Sequence, residues 1–433
     1  MKEIAIFWFR RDLRLEDNAG LFSALKGNYP VLPVFIFDPN ILNHLTDKSD
    51  ARVSFIHQRL ENINQQLKPF KSSIFTIFKE PKSAFEELLS MFAVREVFTN
   101  RDYEPYALKR DEVIRKFLHE RNVKFHTFKD QVIFEKLEIC KKDGSPYTVF
   151  TPYSTAWKYL FSQHALNVYP SEELLDNFYM NKELKFLALK ELGFENSMIK
   201  VPACNLEEHT IRNYHLNRNY PSVHGTSNIS VQLRFGTVSI RRLVKMANSM
   251  NEQWLNELIW REFFMMILFC FPNCVEESFK PKYRNIEWIN NEAHFKAWCE
   301  GKTGYPLVDA GMRELNSTGL MHNRVRMVTA SFLTKHLWID WRWGEAYFAE
   351  KLLDFDLSAN NGNWQWAAGC GCDAAPYFRI FNPTEQARKF DPEQIYINKW
   401  LGEDIDTIIL PIVDHAFARD RAIRLYKKYL NEE

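Results

Sequence analysis

Three segments in the second half of the sequence interleave charged or amide side chains with tryptophan. In the first, Trp254–Phe264, helical spacing places Glu257 and Arg261 on one face beside Trp254, with Trp260 one turn beyond Glu257. Buried charges must be paired or must line a cavity, because an isolated charge is costly to desolvate. The segment therefore indicates a salt-bridged helix or one wall of a binding site.

The second segment lies within the span 313–335, which holds four Lys or Arg against one Glu. Helical spacing places Asn323, Arg326 and Met327 on one face, with Arg324 beside it. The pattern predicts a local basic surface, which the net charge of +1 for the whole chain conceals.

The third segment, Asp354–Trp366, packs two acids, three asparagines and two tryptophans into thirteen residues. Such a run is poor at burying itself. Each segment alone is compatible with ordinary paired helices and core tryptophans. Together the three favour a binding site for a ligand that is large, flat and polar.

A run of hydroxyl and amide residues, Thr226–Ser230, precedes the helical Leu233–Phe235. Backbone N–H groups at such a turn can hold a phosphate. The same residues also cap helices when no ligand is present, so both interpretations stay open here.

Other chemical signatures are missing from the sequence. Gly301-Lys302-Thr303 ends like a phosphate-binding loop, but Lys296 stands where the first glycine is required. Cys370 and Cys372 are one residue apart, which is not the spacing of a zinc or dithiol site, so we predict close packing there and no metal. Zincin and nucleophile-elbow motifs are absent as well, which gives a hydrolase no support.

The composition is that of a folded protein, with 46% hydrophobic and 26% charged residues. Its seven cysteines and the absence of a secretory segment favour a reducing cytoplasm with access to the nucleoid. The longest apolar run, Met265–Pro272, is far shorter than the ~20 residues of a membrane span, so we expect no membrane association.

The first 130 residues alternate strand-like and helix-like stretches, which predicts a doubly wound, parallel, five-stranded α/β domain. Residues 131–205 lose this period and are predicted to form an interdomain linker with short helices. Residues 206–433 have helical periodicity and are predicted to form an all-α domain. The predicted strands are Ile4–Phe9, Val31–Phe37, Ile74–Phe78, Glu96–Thr99 and Val123–Phe128, and the clearest helices are Ala51–Leu67, Pro105–Glu120, Trp254–Phe269, Leu320–Leu337 and Ala416–Tyr429.

These motifs resemble those of the photolyase and cryptochrome family over the whole chain. Trp8–Arg14 is similar to the N-terminal signature of the family, and the later segments resemble its FAD and DNA motifs in order. Within the family, Trp260, Asn323, Arg324, Met327 and Trp366 resemble class I, the branch that acts on cyclobutane pyrimidine dimers. The later segments are Thr226–Ser230, Trp254–Phe264, Thr303–Pro306, Met321–Met327 and Asp354–Pro383.

The resemblance implies a U-shaped FAD in the helical domain, reduced when the protein is active. It implies that Asp354 pairs with Arg326, which would offset the cost of burying an acid beside the flavin. It also implies that Asn360 faces flavin N5, where an amide adds no charge. The residues implied to hold the cofactor are Tyr214, Thr226, Ser227, Asn228, Ile229, Ser230, Trp254, Arg261, Arg326, Asp354, Phe355, Asp356 and Asn360.

For function, the resemblance implies light-driven repair of UV-damaged DNA by a monomer, a carbon–carbon lyase reaction. A flipped-out dimer would receive one electron from the flavin and return it after the cyclobutane opens. Trp260 and Trp366 would sandwich the dimer, and Glu257 would stabilise its radical anion. The residues implied to contact DNA are Arg218, Glu257, Trp260, Asn323, Arg324, Met327 and Trp366.

Trp364, Trp341 and Trp288 match the tryptophan chain that carries electrons to the flavin in this family. A second, light-harvesting chromophore is compatible with the first domain. Folate is disfavoured because the run Asn100–Ala107 departs from the pattern of folate-binding members. A deazaflavin, another flavin or no antenna remain as alternatives.

Two rival functions follow from the same residues. A cryptochrome, a photoreceptor without repair activity, is expected to carry a C-terminal extension, whereas this chain ends at Glu433, soon after a helix-like stretch. A flavin-binding module without photochemistry is expected to tolerate loss of the tryptophan chain. Repair is the function that the sequence favours.

Overall fold

The computed structural model describes residues 2–181, 184–402 and 410–430. These residues divide into two compact units. Unit 1 comprises Met1–Glu138, Trp157–Ala203 and Ile229–Ser249, and unit 2 comprises Ile139–Ala156, Cys204–Asn228 and Met250–Glu433. The span 206–433, which we predicted to be the helical domain, thus contributes Ile229–Ser249 to unit 1.

Unit 1 is built on a five-stranded sheet with the order β3-β2-β1-β4-β5, and every neighbouring pair is parallel. All residues of β2 and all but the first of β1 are buried, as expected for a parallel sheet with both faces covered. The predicted fold class is confirmed. The strands are β1 (Glu3–Phe9), β2 (Val31–Phe37), β3 (Phe75–Phe78), β4 (Ala93–Asn100) and β5 (Lys124–Phe128).

The α-helices are numbered along the chain. The first ten are α1 (Ala19–Leu25), α2 (Pro39–Leu42), α3 (Ala51–Leu67), α4 (Pro81–Met91), α5 (Pro105–His119), α6 (Phe150–Gln163), α7 (Glu208–Arg212), α8 (Tyr214–Asn217), α9 (Ser230–Phe235) and α10 (Ile240–Met250). The others are α11 (Glu252–Cys270), α12 (Glu292–Cys299), α13 (Pro306–Thr318), α14 (Asn323–Ser331), α15 (Trp341–Lys351), α16 (Leu357–Ala368), α17 (Pro383–Phe390), α18 (Ile395–Leu401) and α19 (His415–Leu430). Short 3₁₀ turns lie at Lys68–Phe70, Ser171–Asn177, Leu189–Leu192, Pro272–Val275 and Pro281–Tyr283.

Helix α6 is longer than the short helices predicted for the linker. Its apolar residues Tyr153, Trp157 and Phe161 recur every four residues, which is the spacing of one face of a helix, so the sequence does contain a pattern that predicts α6. Tyr153 and Trp157 are each 1% exposed, which explains why a stretch flanked by turn residues is stable as a helix.

The predicted helix Leu320–Leu337 is interrupted in the structure. After α14 the chain makes a π-helical turn over Phe332–His336, and these five residues are buried. Burial lowers the pKa of Lys335 to about 7, and its Nζ donates to the carbonyl of Arg379 at 2.9 Å. Side-chain periodicity alone cannot reveal a π-turn, because one added residue per turn hardly changes a short pattern.

Within the described residues, no helix is long and apolar enough to cross a membrane. The longest, α11, has 19 residues but includes Glu257, Arg261 and Glu262.

A buried ion-pair network in unit 1 links the loop after β1 and the loop after β5 to α10. Asp130 is 2% exposed and accepts hydrogen bonds from Arg14 at 2.7 Å and Arg241 at 2.9 Å. Burial raises the pKa of this carboxyl, but the two guanidinium groups outweigh that effect and hold it below its usual value. The network therefore depends on Asp130 remaining ionised.

We expect Asp130→Asn to lower the free energy of unfolding by about 3 to 5 kcal/mol, because the buried Arg14 guanidinium loses its carboxylate partner and Arg241 keeps only its ion pair with Asp17. Urea unfolding at pH 7 measures this. Since folding depresses the pKa of Asp130, its contribution is fully present above about pH 4 and is lost as the pH falls through the lower folded value. The control Glu112→Gln breaks the exposed pair with Arg115 and should leave stability nearly unchanged.

Candidate functional site

The predicted face of α11 carries an ion pair rather than an isolated acid. Glu257 forms a salt bridge with Arg218 and also accepts from Gln253 Nε2 at 3.0 Å. The Arg218 guanidinium lies 5.4 Å from the ring centre of Tyr214. Burial, followed by the charge of Glu257, raises the pKa of Tyr214, so this phenol stays neutral. Three predicted residues thus meet at one half-buried cluster.

Helix α11 also anchors the Thr226–Ser230 run. Trp254 is 3% exposed, and its Nε1 donates to the hydroxyl of Ser227 at 3.2 Å. Asn228 has a φ of +50°, a left-handed conformation that ends the turn. Thr226, Ser227 and Asn228 belong to unit 2, whereas Ile229 and Ser230 begin the helical segment of unit 1.

The predicted pairing of Asp354 with Arg326 is present. Two guanidinium nitrogens of Arg326 donate to the two carboxylate oxygens at 3.2 and 2.9 Å, a bidentate contact. The Asp354 side chain is 6% exposed. Arg326 Nε also donates to the carbonyl of Met321 at 2.7 Å. The pair therefore ties the loop before α16 to the start of α14.

Asp356 caps α16. Its carboxylate accepts from the backbone N–H groups of Ser358 at 3.1 Å and Ala359 at 3.2 Å, and from the Ser358 hydroxyl. This cap fixes where the helix begins. It thereby sets the rotation of α16 and the direction in which Asn360, Trp364 and Trp366 project.

Asn360 is 8% exposed, and its amide is oriented by a neighbour that the sequence did not single out. Its Nδ2 donates to the backbone carbonyl and to the carboxylate of Glu345, both at 3.0 Å. Burial raises the pKa of Glu345, and the hydrogen bond from Asn360 counters this. With both amide hydrogens directed at Glu345, Asn360 keeps an acceptor oxygen for another partner.

Helix α14 begins at a histidine with an unused donor. The Nδ1 of His322 accepts from the backbone N–H of Arg324 at 3.2 Å, so its Nε2 carries the hydrogen. That Nε2 is buried and has no partner among the described residues. Burial and the nearby arginines lower the pKa of His322 to about 4, which keeps the ring neutral.

Arg324 lies in a positive cluster. Its Nη2 donates to Asn219 at 2.7 Å, and its guanidinium lies 4.3 Å from the ring centre of Phe390. Burial lowers the pKa of Arg324, and the nearby charges of Arg218 and Arg379 lower it further. Such a cluster favours an anion.

Trp260 stacks on Phe150, a residue that sequence reasoning missed. The ring centres are 3.7 Å apart and the planes differ by 5°. Phe264 approaches the same indole at 5.4 Å. Phe150 lies 110 residues before Trp260 in the sequence, so no local pattern could pair them. The stack fixes the plane of the Trp260 ring.

The three tryptophans of the predicted chain lie in or against one apolar core. Trp364 is 2% exposed and Trp341 is fully buried, while the half-buried Trp288 packs against the core that contains them. A side-chain carbon added at Gly344 would lie 2.1 Å from the Trp364 ring, so this glycine permits the close approach of α15 and α16. The Nε1 of Trp341 is buried without a partner among the described residues.

The remaining predicted residues are placed as follows. Asn323 is exposed at the start of α14, and Met327 and Trp366 are half-buried on α14 and α16. Arg261 and Phe355 are also half-buried. The residues near these groups that the sequence did not reveal are Phe150, Asn219, Glu345, Arg379 and Phe390.

The carboxyl ends of β1 and β4 meet at the topological switch point of the sheet, where α/β proteins commonly bind ligands. Here Asn100 donates to Asp12 at 2.5 Å and to Asn18 at 2.8 Å. Arg11 pairs with Asp102 at 3.3 Å and with Glu104. Much of the run Asn100–Ala107 is thus engaged in internal polar contacts.

The described residues contain no group of three or more metal-ligating side chains, and the cysteines among them are free thiols. Cys370 and Cys372 are buried, and a side-chain carbon at Gly371 would lie 2.9 Å from Gln365, so small residues are needed for packing there. The unused buried donor at His322 and the acceptor at Asn360 suit a polar ligand.

Two family models match the chain. Residues 5–171 match the model described as DNA photolyase, and residues 254–407 match the FAD binding domain of DNA photolyase. A deoxyribodipyrimidine photo-lyase of Vibrio cholerae is 35% identical over 98% of this chain and 99% of its own. The relationship therefore extends over both units.

Solved structures agree with this relationship. A bacterial class III photolyase from Agrobacterium tumefaciens is similar with a TM-score of 0.86 and 30% identity, covering 100% of this chain and 98% of its own. An archaeal photolyase from Sulfolobus tokodaii, solved with two FAD molecules, has a TM-score of 0.80 and 33% identity over 98% and 100%. The chain belongs to the DNA photolyase and cryptochrome family. The prediction of FAD as its cofactor is confirmed.

We expect Asp354→Asn to weaken FAD binding by about 10- to 100-fold, because a charge-assisted hydrogen bond is worth about 1.5 to 3 kcal/mol and Arg326 would lose its counter-ion. The ratio of flavin to protein absorbance after purification and titration with FAD measures this effect. Glu350→Gln, which breaks an exposed pair with Lys351, is the matched control and should retain wild-type affinity. Equal affinities of both variants would contradict the assigned role.

Proposed function

We propose that this protein repairs cyclobutane pyrimidine dimers in DNA by light-driven electron transfer from reduced FAD. Full-length relatives named deoxyribodipyrimidine photo-lyase support this function. The observation that carries it is the joint placement on unit 2 of the Asn360 acceptor, the cationic cluster at Arg324 and the partly exposed Trp260 and Trp366. When bound, reduced FAD supplies one electron to the dimer and recovers it afterwards.

The cofactor role of Asn360 follows from its hydrogen bonds. Since Glu345 holds both amide hydrogens, Asn360 offers only its oxygen. Reduced flavin carries a hydrogen on N5, whereas oxidised flavin has an acceptor there. The orientation set by Glu345 therefore favours the reduced state. Tyr214, the Thr226–Ser230 run, Trp254, Arg261, Arg326, Asp354, Phe355 and Asp356 complete the proposed FAD site.

The DNA-binding role rests on charge and stacking. Arg218 and Arg324 would meet phosphates or bases at the rim, since their cluster lacks enough acid to be neutral. Phe150 covers one face of the Trp260 ring. The other face would stack on the extruded dimer, and Trp366 would lie on the far side of the dimer. Met327 would fill the side of the pocket.

Two polar residues would read and stabilise the dimer. Asn323 would bond the pyrimidine edges. Glu257, already held by Arg218 and Gln253, would approach the same edges in a fixed position. Since that ion pair supplies positive charge beside the carboxylate, it would also stabilise the negative charge that the dimer gains during the reaction.

Trp364, Trp341 and Trp288 would form the route by which electrons reach the flavin from solvent. Trp364 and Trp341 are buried, whereas Trp288 is half-buried. This difference supports Trp288 as the member of the route nearest to solvent. Because apolar packing surrounds the inner two rings, water is kept from the charge in transit.

The finer points are proposals as well. We assign the chain to class I on the motif residues Trp260, Asn323, Arg324, Met327 and Trp366. We propose a monomer, because the FAD and DNA residues all lie on one chain, and a cytoplasmic site of action, where DNA is accessible. An antenna other than folate is favoured, since Asn100–Ala107 departs from the folate pattern and a relative is described with a second FAD as light-harvesting cofactor.

The alternative to DNA repair is the function of a cryptochrome, a photoreceptor without repair activity.

One experiment tests the function directly. The purified protein, reduced with dithionite, is illuminated with an oligonucleotide that contains a thymine dimer, and restored thymine is measured by chromatography. A dark sample and an oligonucleotide with a (6-4) lesion are the controls. Repair of the dimer alone, and only in light, is expected. A flavin that photoreduces without any repair would favour the cryptochrome alternative.

Trp364→Phe should block photoreduction of oxidised FAD by at least tenfold but spare repair by protein that is already chemically reduced, because the electron relay is needed only to reduce the flavin. Absorbance at the oxidised flavin band under blue light measures the first step. Trp298→Phe is the matched control, since Trp298 is fully buried 6.1 Å from Trp364 but outside the proposed chain. Loss of photoreduction in both variants would contradict the route.

Trp260→Ala should weaken binding of dimer-containing DNA by about 5- to 150-fold and of undamaged DNA much less, because a lost base stack is worth ~1–3 kcal/mol. Trp260→Phe keeps an aromatic face and should recover most of the affinity. Fluorescence anisotropy with both oligonucleotides gives the constants. If both DNAs lose affinity equally, Trp260 serves only the core.

A further inference from the structure

The π-helical turn that follows α14 buries a lysine that the proposed function does not use. Lys335 is 1% exposed, although lysine is rarely buried to this extent without a counter-ion. Within the described residues, its amine forms no ion pair with a carboxylate. Because an unpaired charge is costly to bury, the position of this amine indicates a role beyond packing.

The backbone that places Lys335 in the core is unusual as well. Phe332–His336 form a π-turn, in which the N–H of Leu337 donates to the carbonyl of Phe332 at 3.1 Å. A π-turn contains one residue more than an α-helical turn, so it rotates its side chains relative to those of α14. Single π-turns inside helices are frequent at functional sites. The turn therefore gives Lys335 a direction that a continued α-helix would not give it.

The Lys335 amine holds the segment that connects α16 to α17. Its Nζ donates to the carbonyl of Arg379 at 2.9 Å. The backbone N–H of Arg379 donates to the carbonyl of Pro376 at 2.9 Å, which closes a turn next to the anchored carbonyl. Arg379 is exposed, and the neighbouring Phe378 is 62% exposed. The hydrogen bond of Lys335 thus connects the core to a residue at the surface.

Arg379 contributes to the cationic cluster at Arg324. Its charge is one of those that lower the pKa of Arg324. Its guanidinium lies 5.6 Å from the ring centre of Phe381, a cation–π contact within the same segment. A displacement of the Arg379 backbone would therefore change the charge around Arg324, the residue that the proposed function places against DNA.

We propose that Lys335 is a positioning residue of the DNA-binding surface, which keeps Arg379 beside Arg324 through its hydrogen bond to the Arg379 carbonyl. The proposal rests on the proposed function, because it takes the cluster at Arg324 as the place where DNA binds. A bound phosphate neutralises positive charge around Arg379, so the Lys335 amine takes up a proton from solvent when DNA binds. The charged amine then stabilises the complex from below.

The direction of the pH dependence follows from the groups around the amine. Burial, and then the charge of Arg379, lowers the pKa of Lys335 to about 7. Since a bound phosphate raises this pKa, the contribution to DNA binding is fully present below about pH 7 and is lost as the pH rises through the higher value of the complex.

The other titratable groups near the amine do not share this behaviour. Burial raises the pKa of the thiol and of the phenol among them and lowers the pKa of both histidines, while the arginines stay charged. The amine alone among these groups therefore changes its charge near its own pKa. The groups that face the amine or its turn are Arg379 and Cys370 of the connecting segment, His336 of the π-turn, and His415, Arg421 and Tyr426 of α19.

The test uses the FAD-loaded full chain and fluorescence anisotropy with a dimer-containing oligonucleotide over a series of pH values on both sides of neutrality. Lys335→Met keeps the length of the side chain but removes the donor and the charge. It should weaken binding at neutral pH about tenfold and flatten the decline in affinity that the wild type shows as the pH rises. An unchanged FAD content and circular dichroism spectrum verify that the variant is folded.

Lys280→Met is the matched control. The Nζ of Lys280 donates to the carbonyl of Gly369 at 3.2 Å, at the start of the same segment. This variant also loses one lysine and one hydrogen bond to a carbonyl, but no buried amine. It should keep the wild-type pH profile and most of the affinity.

Titration calorimetry in two buffers of different ionisation enthalpy measures the proton uptake directly. The wild type should take up a fraction of one proton per complex near neutral pH. Arg379→Gln keeps the backbone carbonyl but removes the charge that opposes protonation of Lys335, so it should reduce the uptake. This variant and the wild type decide the question if Lys335→Met does not fold, and a wild type without proton uptake overturns the proposal.

The outcomes distinguish two failures. A wild type that binds dimer-containing and undamaged DNA equally well overturns the proposed function, and this proposal with it. A preference for the dimer that Lys335→Met retains with the same affinity and pH profile overturns the positioning role alone. A loss of affinity with an unchanged pH profile also overturns that role, because the side chain then acts only in packing.

Discussion

The bidentate contact between Arg326 and Asp354 is the constraint on which the candidate site depends. It joins the start of α14 to the loop that precedes α16, and Asp356 then caps α16 two residues later. Because a helix rotates its side chains by a fixed amount per residue, these contacts determine the directions of Asn360, Trp364 and Trp366 together. A shift of this loop would therefore displace the residues proposed for the flavin contact, the electron route and the dimer pocket at once.

The charged neighbours of Arg324, Asn360 and Glu257 in unit 2 differ from one another. Around Arg324, cationic neighbours and burial together lower the pKa of the arginine, and the surplus positive charge suits a phosphate. Around Asn360, by contrast, the polar contact is with Glu345, whose backbone carbonyl and carboxylate both accept from the Asn360 amide, so the amide oxygen is left for the proposed flavin contact. Glu257 lies with Arg218 in an ion pair, which in the proposed function would let an acid stand beside the dimer without repelling its radical anion.

The tryptophans of unit 2 fill its core and also make up the proposed electron route. Trp364, Trp341 and Trp298 fill the core of unit 2, and Gly344 makes room for the Trp364 ring. Dense aromatic packing stabilises the unit and also brings π-systems to the separations that electron transfer needs. At the periphery, Trp338 and the tyrosines of α19 continue this packing.

The sequence by itself determined the parallel sheet and the helical second half, because apolar periodicity is a local property of the chain, and the resemblance of its motifs to the family predicted the flavin and the pairing of Arg326 with Asp354. The same resemblance singled out the tryptophans of the proposed electron route. Only the tertiary structure revealed Glu345 behind Asn360, Phe150 on Trp260, Phe390 on Arg324 and the Arg379 carbonyl on Lys335, since these partners are 15 to 110 residues apart. The π-turn likewise comes from packing. Side-chain spacing encodes which face of an element is buried, but the neighbour that covers that face is selected by the whole fold.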